Sequence, residues 1–261
     1  VRDHLVFCDV DETLITCKGL VEFLHYYLRE RYGPAGADRA LALDAEMRAR
    51  AAAGEPRDAL NRSFCRVWRR EPAAEVGRLA RRWYDERVAR GGFFVESTRE
   101  RLLRHRADGA VIALVSGSLP ELLAPVAEAV GARHVLATRL ERCGPVFTGE
   151  LRGRPVIGEG KRAAVRTLLA AYPHVDPADC FAYGDHVSDL PMLTEVGRPV
   201  AVGDCPELRE ALARWEDETA NARRSSASRP ACVANSACAA PSYRTNLASG
   251  SSAEVAVAHS A

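Results

Sequence analysis

Lysine is nearly missing from this sequence. Of 36 basic residues only Lys18 and Lys161 are lysines, and arginine supplies the rest. An excess of one charge is missing too, because 36 basic and 35 acidic side chains leave a net charge of +1. That balance gives no electrostatic basis for holding nucleic acid or an anionic membrane, and neither is expected as a partner. No apolar run approaches the ~18 residues needed to span a bilayer, and no signal-peptide pattern precedes the first apolar run. The eight cysteines contain no Cys-x-x-Cys pair and no Cys/His group at zinc spacing. Cys8 and Cys180 sit inside apolar runs and read as small buried hydrophobes. A reduced, cytoplasmic, soluble protein is the expectation. With 47% hydrophobic residues in 261, a sizeable core is within reach.

What is present is an alternation. Short apolar runs end in acids, glycines or hydroxyls: HLVFCDVD (4–11), AVIALVSGS (110–118), CFAYGD (180–185), RPVAVGD (198–204) and the weaker HVLAT (134–138). Between them, Leu119, Leu122, Leu123, Val126 and Val130 share one helical face, as do Val165, Leu168, Leu169 and Tyr172. Pro125 is expected to kink the first of these helices. Buried strands alternating with amphipathic helices indicate an α/β fold with a mostly parallel, Rossmann-like sheet. In such sheets ligands collect at the carboxyl ends of the strands, where these polar residues stand.

Residues 19–92 interrupt the alternation with all-helical stripes, such as Leu20, Phe23, Leu24, Tyr27 and Leu28, punctuated by GPAG (33–36). They read as a helical insertion between core segments 1–18 and 93–218. Residues 138–156 read as a β-hairpin turning near Cys143, Gly144 and Pro145. From Thr219 to Ala261 the chain is rich in Ser and Ala with few large apolar residues, and it is expected to be disordered. A weak helix or strand at Ala253–Ala258 is the one feature read there.

Asp9, Asp11 and Glu12 crowd the end of the first run, and like charges this close raise a pKa or call for a cation. Paired oxygen ligands suit a hard cation, Mg²⁺ best. The plain alternative is a solvated acidic turn. Asp185 and Asp189 form a second pair in GDHVSDLPML (184–193), although Asp189 alone could be a helix-start acid. Ser116 and Gly117 offer a hydroxyl and a free N–H for phosphate, with Ser118 as the helix N-cap. Lys161 begins a helix, where its charge opposes the dipole and a phosphate would relieve the conflict. The segment is not a P-loop, since Pro155 stands where the first glycine belongs.

In this order the four motifs resemble the haloacid dehalogenase-like phosphohydrolases, within subfamily IB, the branch that includes phosphoserine phosphatase. Asp9-Val10-Asp11-Glu12-Thr13 matches the first motif, Ser116 the second, Lys161 the third, and Gly184-Asp185 with Asp189 the fourth. The resemblance covers about residues 4–215. It implies an aspartyl-phosphate on Asp9, with Asp11 as acid and then base. It implies Mg²⁺ on Asp9, the Asp11 carbonyl and Asp185, with Asp189 in support. Ser116, the Gly117 N–H and Lys161 would hold the phosphoryl oxygens of a small phosphomonoester. The insertion would be a cap that excludes water and selects the substrate.

Two positions depart from the relatives. Phosphoserine phosphatases place a glutamate near Lys18 for the substrate ammonium; a cation there disfavours such a substrate, and Glu22 is the imperfect substitute. His186 follows Asp185 and either touches the substrate or merely sits on the loop. A phosphomonoesterase is therefore expected. The alternatives are a phosphoserine phosphatase, a phosphotransferase to an alcohol, and a non-catalytic phosphate- or metal-binding module.

Overall fold

The computed structural model describes residues 4–227. Its strands are β1 (Leu5–Cys8), β2 (Val111–Ser116), β3 (His134–Ala137), β4 (Leu140–Cys143), β5 (Val146–Leu151), β6 (Phe181–Gly184) and β7 (Arg198–Ala201). Five of them form one parallel sheet in the order β3-β2-β1-β6-β7, while β4 and β5 pair as a separate antiparallel hairpin. β1 lies at the centre, with Cys8 beside Leu114 and Tyr183. The chain builds outward from β1 first on one side and then on the other. The crevice between β1 and its neighbours is thus the switch point where such sheets bind ligands.

Both faces of the sheet are buried, which explains runs that are apolar without alternation. Val6 and Cys8 join one core cluster with Ile112 and Leu114, whereas Leu5 and Phe7 join the other with Ala113 and Val115. This is the two-residue period of a strand, read out as two cores. The second cluster is closed by α6 (Glu159–Ala170), α7 (Leu190–Leu193) and α8 (Pro206–Ala227). The first is closed by α4 (Glu96–Ala107), α5 (Pro120–Val130) and the helices that intervene between β1 and β2. Those are α1 (Gly19–Ala52), α2 (Arg57–Cys65), a 3₁₀ turn at Arg66–Trp68 and α3 (Ala73–Ala89).

Helix α1 is in effect two helices. Gly33 has φ +62° and ψ −143°, and Pro34 follows, so the helical path breaks there. Gly36 then packs so tightly that a Cβ would lie 2.0 Å from the Leu28 carbonyl oxygen. A straight helix of 34 residues would be about 50 Å long; the break turns the second half back along the first. Phe23 stacks on Trp68 with centroids 5.7 Å apart, and Trp83 lies 5.9 Å from Phe23. Buried Glu71 accepts hydrogen bonds from Tyr27 and Tyr32, each at 2.6 Å, and from Arg31 at 3.2 Å. That arrangement satisfies its charge and ties the first half of α1 to the turn before α3.

Several expectations need correction. α5 runs from Pro120 to Val130 through Pro125 without a break. Its N-cap is Leu119, so Ser118 does not cap it. α8 continues past Thr219, the residue from which disorder is expected, to Ala227. The remainder of that stretch, including Ala253–Ala258, lies outside the described residues. α4 was not foreseen, because most of its residues are polar and only Thr98 and Leu102 are buried. No described helix is long and apolar enough to cross a membrane.

Candidate active site

β1 delivers Asp9 to the carboxyl edge of the sheet, where the Asp9 N–H still donates to the Tyr183 carbonyl at 2.9 Å. The chain then turns sharply. Leu14 and Ile15 both donate to the Val10 carbonyl at 2.9 Å, and Glu12 takes the left-handed conformation at φ +60°. A non-glycine residue there stores strain of about 1 kcal/mol or more. The turn brings the Thr13 hydroxyl 3.1 Å from Asp9 Oδ2 and 2.8 Å from Asp185 Oδ1. Its single proton is shared between two carboxylates, which fixes the two loops to each other. Sequence reasoning quoted Thr13 within the motif but assigned it no role.

Lys161 arrives from the first turn of α6. Its ammonium donates to Asp9 Oδ1 at 2.5 Å and to Asp189 Oδ1 at 2.6 Å, and all three side chains are at least nine-tenths buried. The helix-dipole conflict expected at Lys161 is met in this structure by two carboxylates. Burial alone would lower the Lys161 pKa, but Asp9 and Asp189 outweigh it and hold the ammonium above its usual range. Burial raises Asp9 above the usual carboxylate range against the pull of Lys161, and Asp189 adds to the rise. Asp189 also accepts the His186 N–H at 3.2 Å. Gly184 makes room for it, since a Cβ there would lie 2.7 Å from the Asp189 Cβ.

Asp11 faces the other way. Its carboxylate accepts the N–H of Gly19, the first residue of α1, at 3.0 Å. Burial pushes it up to about 6, partly offset by that hydrogen bond. Asp11 is thus held at the junction of core and insertion, and its side chain lies outside the acid cluster. Glu12 meets Lys18 at 3.8 Å with both half exposed. Glu22 is turned away and pairs with Arg87 at 2.5 Å, so it does not stand in for a substrate-facing acid.

At the end of β2, Ser116 Oγ accepts the Ser118 N–H at 3.0 Å. Ser118 Oγ is buried with no hydrogen-bond partner among the described residues. Helix α2 reaches across to both core loops. Asn61 donates to the Gly117 carbonyl at 3.2 Å, and Arg57 donates to His186 Nδ1 at 2.9 Å and Ser188 Oγ at 3.2 Å. His186 Nδ1 also accepts the Ser188 N–H at 3.0 Å and caps the turn. Burial, followed by Arg57, lowers the His186 pKa. Its observed contacts are those of a loop anchor. Nothing local in the sequence marks Arg57 or Asn61.

One cavity of about 460 Å³ has Asp9, Asp11, Ser116, Gly117, Lys161, Asp185 and Asp189 in its wall and Lys18 and His186 beside them. Carboxylate oxygens of Asp9, Asp185 and Asp189 lie within 4.8 Å of one another. An octahedral Mg²⁺ with oxygens at 2.0–2.1 Å spans about 4 Å between opposite ligands, slightly less than that limit, so small side-chain shifts would let the set hold the ion. Its all-oxygen chemistry fits as well. A larger hollow of about 540 Å³, lined by Arg139, Arg142 and Arg152 at the hairpin, contains none of these aspartates.

A family model described as haloacid dehalogenase-like hydrolase matches residues 6–194. The chain is 41% identical over 115 residues to the inhibition of morphological differentiation protein of Streptomyces azureus, covering 42% of this chain and 40% of that one. It is 36% identical over 146 residues to phosphoserine phosphatase SerB1 of Mycobacterium tuberculosis, covering 55% and 46%. The matches thus span less than half of each of these relatives. A crystal structure of a protein of unknown function from Bordetella pertussis superposes with a TM-score of 0.71 at 27% identity, covering 82% of this chain and 96% of that one.

Proposed function

Since the chain belongs to the haloacid dehalogenase-like hydrolase family, we propose that it is a Mg²⁺-dependent phosphatase that hydrolyses a small phosphomonoester through an aspartyl-phosphate on Asp9. The observation that carries this reading is the buried cluster at the end of β1, where Asp9 shares Lys161 with Asp189 and Thr13 with Asp185. Four buried or half-buried acids beside one lysine leave negative charge that Mg²⁺ would neutralise. Asp9, Asp185 and the Asp11 carbonyl would hold the ion, with Asp189 in support. When bound, it supplies charge neutralisation at the phosphoryl oxygens.

The chain's own residues carry the steps. An Asp9 carboxylate oxygen attacks phosphorus, and the bond from phosphorus to the ester oxygen breaks. Asp11, protonated, gives its proton to the departing oxygen. Water then attacks the phosphoryl group and loses a proton to Asp11, which releases phosphate and restores Asp9. A carboxyl raised to about 6 can serve in both directions near neutral pH. Ser116, the Gly117 N–H and Lys161 hold the phosphoryl oxygens, so charge develops among fixed donors. Residues 19–92 act as a cap, with Asn61 and Arg57 joining it to the core loops. Lys18 at the mouth of the cavity contributes to substrate choice, and His186 contributes through the loop it anchors.

Phosphoserine phosphatase is the second reading, favoured by the likeness to SerB1. Phosphate release from a panel of monoesters, with Mg²⁺ and with EDTA, tests both. Mg²⁺-dependent release from at least one monoester is expected. No release from any ester refutes the phosphatase reading, and phosphoserine as the best substrate favours the second.

A further inference from the structure

A phosphoryl group and one cation fill only the floor of a 460 Å³ cavity. The rest of the wall is supplied by the insertion, and its chemistry differs from that of the floor. Leu20 and Val21 come from the first turn of α1, Met47 from its far end, Leu60 and Phe64 from one face of α2, and Ile157 from the loop before α6. Leu20 and Met47 would stand about 40 Å apart on a straight helix. The break at Gly33 and Pro34 is what brings them to one cavity. Leu60 and Phe64 are four apart and so share a helix face.

Charge is distributed just as unevenly. Every acid in the wall, namely Asp9, Asp11, Glu12, Asp185 and Asp189, comes from the loops after β1 and β6. The insertion adds none. Its polar contributions are Arg57 and Asn61, and Lys18 stands just before it. Glu22, the acid nearest in sequence, lines a separate hollow with Arg87. Glu12 faces Lys18. An ammonium on the substrate body would meet hydrocarbon or another cation.

We propose that the substrate is a phosphomonoester whose organic part is apolar and carries no cationic group, with its hydrocarbon packed on Leu20, Val21, Met47, Leu60, Phe64 and Ile157. This rests on the phosphatase reading above. Moving hydrocarbon from water onto this wall favours binding in proportion to the area covered.

The test is the Mg²⁺-dependent hydrolysis of n-alkyl phosphates from ethyl to octyl, beside O-phosphoserine, phosphoethanolamine and p-nitrophenyl phosphate. For the methylenes that fit, kcat/KM should rise by up to about fourfold each. Butyl phosphate should exceed both amino esters. Leu60→Ser and Met47→Ser, both at half-buried positions, should each flatten the series. A flat or falling series, an amino ester as the better substrate, or an unchanged slope in both variants would overturn the inference. If p-nitrophenyl phosphate is cleaved while the series is flat, only this inference fails. If no ester is cleaved, the phosphatase reading fails with it.

Discussion

Replacing Lys161 with methionine removes the one ammonium shared by two buried carboxylates and keeps most of the side-chain volume. Lys161 is 6% exposed, and its partners Asp9 and Asp189 are 9% and 3% exposed. Removing one member of a buried ion pair costs about 3–5 kcal/mol, because the remaining charge is left unpaired. The carboxylates can escape part of that cost by binding a proton. Asp9 is already raised by burial, and loss of Lys161 raises it further. The folded variant then keeps a proton that the unfolded chain releases near pH 4, so its stability falls as pH rises from about 4. At pH 8 in EDTA the expected loss is about 3 kcal/mol, or roughly 6–12 °C in Tm for a domain of this size. The deficit against the wild type should shrink toward pH 5. Mg²⁺ should recover more Tm in the variant than in the wild type, since it replaces a missing positive charge. Thermal melts at several pH values, with EDTA and with Mg²⁺, read all three effects. A Tm within about 2 °C of the wild type at pH 8, with no dependence on pH, would refute the reasoning.

Thr13→Val should lower kcat with little change in KM and cost about 1–2 kcal/mol of stability, because two carboxylates lose a shared donor; Thr13→Ser should restore most of both, as steady-state kinetics and denaturant titration would show. Gly184→Ala drives a Cβ to 2.7 Å from the Asp189 Cβ, so Mg²⁺ should bind at least tenfold more weakly by calorimetry. Gly36→Ala places a Cβ 2.0 Å from the Leu28 carbonyl and should cost more than about 2 kcal/mol while prying apart the two halves of α1; protease cleavage within residues 30–50 should accelerate.

The central strands β1, β2 and β6 were readable because both faces of each are buried, which turns them into unbroken apolar runs closed by a polar residue. The acids, Ser116 and Lys161 were readable because they end such runs or start the following helix. Other features depend on contacts between residues distant in sequence, and no local pattern shows them. Arg57 and Asn61 look like ordinary surface residues of α2 until the fold sets them against His186 and Gly117. α4 is a mostly polar segment with only Thr98 and Leu102 buried, too few to give an apolar periodicity. Ser118 had the chemistry of an N-cap, but the helix begins at Pro120 and the capping position falls on Leu119. Lys161 stands out in the sequence at its helix start, but its pairing with Asp9 and Asp189 joins residues distant in the chain.

The role of Asp9 can be tested most directly by acid-quenching the protein during turnover of p-nitrophenyl phosphate with Mg²⁺ and mapping the phosphoryl group by mass spectrometry. The expected result is one phosphoryl group on the peptide that contains Asp9. It should be absent in EDTA and absent in Asp9→Asn, which should stay folded and release no phosphate. Steady phosphate release with no label on that peptide, or turnover by Asp9→Asn near the wild-type rate, would contradict the assignment.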